Sequence, residues 1–308
     1  MASTRRGWIG SLIGAGLIGA AGGVRGEDAV ELLQDRHWEQ GFKLHDPEPG
    51  QHVVIGHLPP AAPDPVWGLS QWSSAFPLTD DHVIDVPGGY GAANSARSVV
   101  AKPEEGYLYL KVNAHREYGG RARRHGEPWP HLLAEQRLAP SPGLDQLRSI
   151  PFRLQARLAK CEKFETSEYT PSLHAAQYQL FITAQNLNQS SPGYGDYYWF
   201  GIQIFDDREE IPRPMTHVDT GTGKLIYAPG GDAYASESTH SGDWVSFEGD
   251  LLPEMLGGLQ RAWERDLLAD SQDLSDYRIG GMNIGWEVPG IFDVAVELRD
   301  FDLRAVHG

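Results

Sequence analysis

Cysteine is almost missing from this chain. Cys161 is the only one in 308 residues, which excludes an internal disulfide, a cysteine-rich zinc site and an iron–sulfur cluster. Its ordinary role is that of a small packed side chain. Basic residues are scarce as well: Lys and Arg number 26 against 42 Asp and Glu, and the formal net charge of -16 excludes a general attraction to nucleic acid or anionic lipid. No apolar run reaches the roughly 20 residues that span a bilayer, and there is no internal repeat, coiled coil or long linker. With 40% hydrophobic residues the chain can bury a large core, so it is neither disordered nor a multi-span membrane protein.

Punctuation is plentiful. The 36 glycines and 21 prolines favour short strands joined by turns over a helical bundle. At the start, Thr4-Arg5-Arg6-Gly7-Trp8-Ile9 sets paired arginines before a weakly apolar, glycine-interrupted run that ends at Gly23. The pattern resembles a twin-arginine export signal, with cleavage after Gly22 or Gly26. Residues 1–26 are therefore expected to be an address, and 27–308 one mature domain that is exported to the periplasm or outside the cell.

From Gly50 onward strand signals recur: His52–Leu58, Val66–Ser73, His82–Val86, Arg97–Ala101, Tyr107–Asn113, His131–Leu138, Ile150–Ala159, Ala176–Gln185, Tyr197–Asp206, Lys224–Ala228, Trp244–Gly249, Arg278–Val288 and Phe292–Val306. Alternation is clean in several. Leu108, Leu110 and Val112 share one face, and Tyr107, Tyr109 and Lys111 share the other. The apolar parity of the last strand changes after Leu298, which predicts a bulge near Arg299-Asp300. Leu252, Leu256, Leu259, Trp263 and Leu267 predict a helix over Pro253–Leu268, and a second short one is expected over Glu27–Gln40. The expected fold is all-β: a jelly-roll sandwich of two antiparallel sheets with one or two peripheral helices.

The second faces of these strands carry amides, arginines and large rings in place of Lys, Glu and Thr. Gln177 and Gln179 alternate along one strand, Trp199 and Gln203 with Tyr197 along the next, and Asn283 lies on a third. Arg153, Gln155 and Arg157 fit the same pattern. Amides bond hydroxyls bidentately and rings stack on pyranose faces, so these residues are candidate saccharide contacts.

On the strand run, the polar-aromatic central strands and the closing Gly285-Trp286-Glu287 and Phe292-Asp293-Val294 pair, the chain resembles the concanavalin A-like lectin/glucanase superfamily. That resemblance implies a jelly roll whose concave face binds, and often cleaves, polysaccharide. The E-x-D-x-x-E string of laminarinase-like members is not found; Glu248-Gly249-Asp250 begins it, but Glu254 falls one place too far. His131 to Arg137 also resembles part of the R-x-E-x-R strand of jelly-roll alginate lyases and keeps the E-x-R of Glu135 and Arg137. The downstream Gln177, Gln179 and Tyr197-Tyr198-Trp199 match the lyases loosely.

Between Lys111 and Lys163 there are 11 basic and 5 acidic residues, a local +6 on an acidic protein. Arg116, Arg121, Arg123, Arg124, His125 and His131 crowd the approach to Glu135, which suits an anionic sugar; pairing with surplus carboxylates is the competing use. Two chemistries fit. Elimination would use Arg137, Gln179 and Arg157 to neutralise a uronate carboxylate, and His131 and Tyr197 to move protons. Hydrolysis would use Glu135 and Glu287, about 5–5.5 Å apart for retention or about 6.5–9.5 Å for inversion. No cofactor or catalytic metal is expected, although Asp80-Asp81-His82 or Asp206-Asp207 could hold a structural calcium. The reading is a secreted enzyme that cleaves an extracellular polysaccharide, with lyase action leading, a glycoside hydrolase second and a lectin third. No nucleic-acid partner and no membrane span are expected.

Overall fold

The computed structural model describes residues 29–308; the twin-arginine segment and both cleavage points lie outside them. Among the described residues, strands form two large sheets that pack face to face as a jelly-roll β-sandwich. One sheet runs, in spatial order, Met215–Val218, Leu225–Ala228, Tyr197–Asp206, Gln177–Asn186, Tyr277–Glu287, His131–Arg137, Trp67–Ser70, Phe42–His45 and Val54–Leu58. This is the cleft sheet. The other, the outer sheet, runs Val245–Asp250, Pro151–Lys163, Phe292–His307, Tyr107–Asn113, Arg97–Lys102, Tyr90–Ala93 and Val83–Ile84, with Ala29–Glu31 and Leu147–Ser149 also paired to its longest strand.

The alternation read from the sequence is what builds the interior. Leu108, Leu110 and Val112 are fully buried, while Tyr107, Tyr109 and Lys111 lie half-buried on the other side. Each such buried side chain contributes roughly 1.5–3 kcal/mol. Trp286 ties the two layers together. Its ring stands edge-on to Tyr178 and Phe205, and its indole donates to the Leu110 carbonyl of the opposite sheet at 2.9 Å. The expected bulge is present: the pairing slips between Arg153 and Gln155 opposite residues 299–302, and Asp300 takes φ 54°.

Three expectations change. Pairing is not wholly antiparallel, because Phe42–His45 runs parallel to Trp67–Ser70, and Tyr197–Asp206 runs parallel to Leu225–Ala228. The segment expected as a first helix instead adds a strand, Ala29–Glu31, to Phe292–His307. Trp38 at φ 58° then breaks any helix, and the Asp35 carboxylate accepts the amides of Glu39 and Gln40 in a turn. The later helix is Leu252–Trp263, shorter than expected, and its buried stripe is Leu252, Met255, Gly258, Leu259 and Ala262, so Leu256 and Trp263 sit at its edge. No described helix is long and apolar enough to cross a membrane.

Three of the acids considered for calcium, Asp80, Asp206 and Asp207, are engaged by the protein itself. Asp80 accepts the His57 amide at 2.7 Å, and Asp206 is bonded to Arg208 and to Gln177.

Candidate functional site

The cleft sheet turns one face of each strand inward to the core and the other toward a cleft of about 640 Å³. Parity decides which residues reach it. In His131–Arg137, Leu132 and Ala134 are buried in the core, so His131, Glu135 and Arg137 point the opposite way. In Phe42–His45 the same rule buries Phe42 and Leu44 and turns Lys43 and His45 to the cleft.

Among the described residues Glu135 is the only carboxylate that lines the cleft, and three side chains hold it. His52 Nδ1 lies 2.7 Å from its Oε1 and His45 Nδ1 lies 3.2 Å from the same atom. The Ser70 hydroxyl also bonds the carboxylate and stands 3.4 Å from His45 Nδ1. Burial pushes the Glu135 pKa up, but the bonds from His45, His52 and Ser70 and the nearby charge of His52 outweigh it and hold the pKa down to about 2. The Glu135 bond in turn raises His52 against its own desolvation. Gly68, opposite Glu135 in the register, makes the cluster sterically feasible: a Cβ there would sit 2.4 Å from His45 Cε1.

The far wall is aromatic and polar. Tyr197 and Trp199 stand edge to face, with ring centroids 5.2 Å apart, and Phe181 packs edge-on against Trp199. Thr183, Gln185 and Asn283 line the floor between. Burial raises the Tyr197 pKa, which keeps its hydroxyl protonated at neutral pH. Among the described residues, three buried polar atoms of cleft-lining residues lack a protein partner: Trp72 Nε1, Gln136 Nε2 and Asn283 Oδ1. A hydroxyl-rich ligand can satisfy such orphans.

The expected site residues divide into three placements. Glu135, Arg137, Tyr197, Trp199 and Asn283 line the cleft. His131, Glu287, Gln177, Gln179 and Gln203 share its sheet but lie outside the lining. There Gln203 donates to the carbonyls of Arg213 and Pro229, and Gln177 donates to Asp206. Arg153, Gln155 and Arg157 do not belong to this face at all: they sit on Pro151–Lys163 in the outer sheet, where Gln155 meets Arg299 and Ser246, and Arg157 meets Glu297 and Trp244. Their polar phase is the same, but parity cannot say which sheet a strand joins. Of the basic loop, Arg121 is consumed by Glu127 and Arg123 by the Glu127 and Leu173 carbonyls, so local pairing wins over substrate steering.

Neither expected catalytic set is assembled. Glu135 is opposite Asn283 and His131 is opposite Glu287, so the two glutamates are offset by four residues, about 13 Å along the strands. Their carboxylates are also turned to different partners, Glu287 lying 3.8 Å from His131 and Glu135 at the histidine pair, with the rings of His52, Trp72 and His131 in a row between them. For elimination, His131 and Arg137 are six residues apart, about 20 Å. Tyr197 is three strands across from Glu135, about 14 Å.

No family model matches the chain, and neither does any curated protein. Among solved structures it is similar to the endoglucanase Cel12A from Rhodothermus marinus, with 12% identity over 73% of this chain and 96% of that one and a TM-score of 0.41. It is similar to a metagenome-derived glycoside hydrolase family 12 endoglucanase at 11% identity, covering 80% and 100% of the two chains with a TM-score of 0.40. A family 12 xyloglucanase from Bacillus licheniformis gives 8% identity, 74% and 92% coverage and 0.40. Identities this low say nothing of chemistry, which rests on the cleft's own residues.

The residues that sequence reasoning missed are His45, His52, Lys43 and Trp72. Phe42-Lys43-Leu44-His45 alternates between Gly41 and Asp46-Pro47, a strand signal four residues long. Gly41 at φ 83° makes the turn into it.

Proposed function

We propose that this protein is a carbohydrate-cleaving enzyme, a glycoside hydrolase by reaction type, that seats a saccharide in the cleft and breaks a glycosidic bond beside Glu135. The observation that carries the reading is a single ionised, largely covered carboxylate tied to two imidazoles in a cleft lined also by amides, hydroxyls, rings and the two cations Lys43 and Arg137. Trp199 and Tyr197 offer stacking faces for a sugar ring, and Asn283, opposite Glu135, offers an unpaired polar atom to its hydroxyls. Hydrolysis asks for a base or nucleophile, an acid that protonates the leaving oxygen, and water; ionised Glu135 suits the first of these, and the open cleft admits the water. Elimination asks for a base and an acid too, and in addition for a carboxylate clamp, all around one ring, and the residues expected for those tasks are spread along and across the sheet. The twin-arginine start is in keeping with a substrate met outside the cytoplasm.

Elimination is kept as a second reading by one observation: Arg137, about 7 Å from Glu135 along its strand, and Lys43 both line the cleft and could hold a uronate carboxylate. Digestion of a panel of neutral and uronate-containing polysaccharides, followed by reducing-end assay and by absorbance at roughly 235 nm, the range of the conjugated product of elimination, separates the cases. Reducing ends without absorbance are expected. Absorbance rising with reducing ends would move the protein to the lyases, and binding without either signal would make it a lectin.

A further inference from the structure

The cleft supplies one carboxylate where two-carboxylate hydrolysis needs two, and it supplies two histidines that such chemistry does not need. We infer that His45, His52 and Glu135 form a binding site for one divalent first-row transition-metal ion, of which Zn²⁺ is the probe of choice. The inference deepens the reading above by naming what its reacting centre holds, while the geometry that carries it stands independently of any activity.

His45 Nδ1 and His52 Nδ1 stand 3.2 and 2.7 Å from Glu135 Oε1, and the three candidate ligand atoms all lie within 4.8 Å of one another. Ligands about 2.0–2.2 Å from a shared ion are themselves roughly 3–3.5 Å apart, so only small side-chain adjustments separate this cluster from a coordination shell. The imidazole rings are nearly perpendicular, at 89°, which lets both nitrogens converge on one point without stacking. The ligands come from three places: the strand Phe42–His45, the segment just before Val54–Leu58, and the strand His131–Arg137. His45 and Glu135 are well covered while the His52 side chain is 55% exposed, so the open side of the site faces the cleft. Three protein ligands with one open side is the arrangement of a catalytic ion rather than a closed structural one. Two imidazoles with one carboxylate select a transition metal over Ca²⁺ or Mg²⁺, which prefer all-oxygen shells. Ser70, bonded to Glu135, supplies the outer support that orients a ligating carboxylate.

The test is isothermal titration of the mature chain, first stripped with a chelator and dialysed, with Zn²⁺ and separately with Ca²⁺. The expected result is one Zn²⁺ per chain with a Kd at or below about 10 μM, and no Ca²⁺ heat. His52→Ala removes an exposed ligand and is expected to fold; Glu135→Gln keeps the size of the side chain. Each should weaken Zn²⁺ binding at least about tenfold, whereas His217→Ala, an exposed histidine outside the cleft, should leave it unchanged. No Zn²⁺ binding by the wild type would overturn the inference, as would a Kd that moves less than about twofold in both cluster variants. A protein that cleaves glycan without binding zinc would lose this inference and keep its proposed function; one that binds zinc here and cleaves nothing would do the reverse.

Discussion

At the scale of single residues, three side chains make sharp demands on their surroundings. His45 packs where Gly68 leaves room, so Gly68→Ala should push the ring from its place against Glu135. The expected outcome is a drop in melting midpoint together with loss of turnover, measured on the same preparation by calorimetry and by product assay. Glu135 shows the opposite economy: its hydrogen bonds hold it ionised in spite of burial, and it takes part in no structural salt bridge with Lys or Arg among the described residues. Asp207 is a carboxylate without such support. Burial and the neighbouring Asp206 raise its pKa to about 6 against the bond from the Ala176 amide. Its folded pKa exceeds its unfolded one, so protonation stabilises the fold below about pH 4, and that contribution is lost as pH rises through about 6. Asp207→Asn should therefore add ~1–2 kcal/mol at pH 7.5, after allowance for solvent screening, and almost nothing at pH 4. Urea denaturation at the two pH values checks it, and an equal gain at both would contradict it.

Elements show why parts of the molecule were readable in advance. Tyr107–Asn113 appears with the bounds that alternation predicts, because burial of one face over seven residues leaves an unmistakable period, and Tyr197–Asp206, buried on both faces from Phe200 onward, keeps its expected bounds as an apolar, aromatic run. Phe42–His45, only four residues long, leaves almost none, and with it went His45 and the centre of the cleft. The helix Leu252–Trp263 was legible from its spacing, yet the stripe it buries is rotated toward Met255, Gly258 and Ala262, since Gly258 lies against the Tyr198 ring and no larger residue fits there. Truncating a residue that both readings share, Leu259→Ala, should cost ~2–5 kcal/mol in denaturant unfolding. The outer-sheet trio of Arg153, Gln155 and Arg157 carries a different lesson. Period fixes the face of a strand, and only pairing partners fix its sheet. On the cleft wall, Trp199→Ala should weaken oligosaccharide binding about tenfold, from ~1–1.5 kcal/mol of stacking, with the melting midpoint nearly unchanged. An unchanged affinity would remove Trp199 from the substrate path.

Across the whole molecule, the two layers divide the labour. The outer sheet, with its long strand Phe292–His307, closes the core and holds both Ala29–Glu31 and Leu147–Ser149. The cleft sheet turns its second face to a saccharide-sized groove, and Trp286 locks the two together. A net charge of -16 keeps such a protein soluble and discourages polyanions at long range, so any uronate must be recognised locally by Lys43 and Arg137. The proposed function centres cleavage on Glu135 and not on the distant Glu287. The most direct test is the initial rate of reducing-end release from a polysaccharide the wild type cleaves, compared with Glu135→Gln and Glu287→Gln at matched fold by circular dichroism. The expected outcome is a fall of at least about a thousandfold for Glu135→Gln and less than about fivefold for Glu287→Gln. Substantial activity in Glu135→Gln, with collapse in Glu287→Gln, would contradict it.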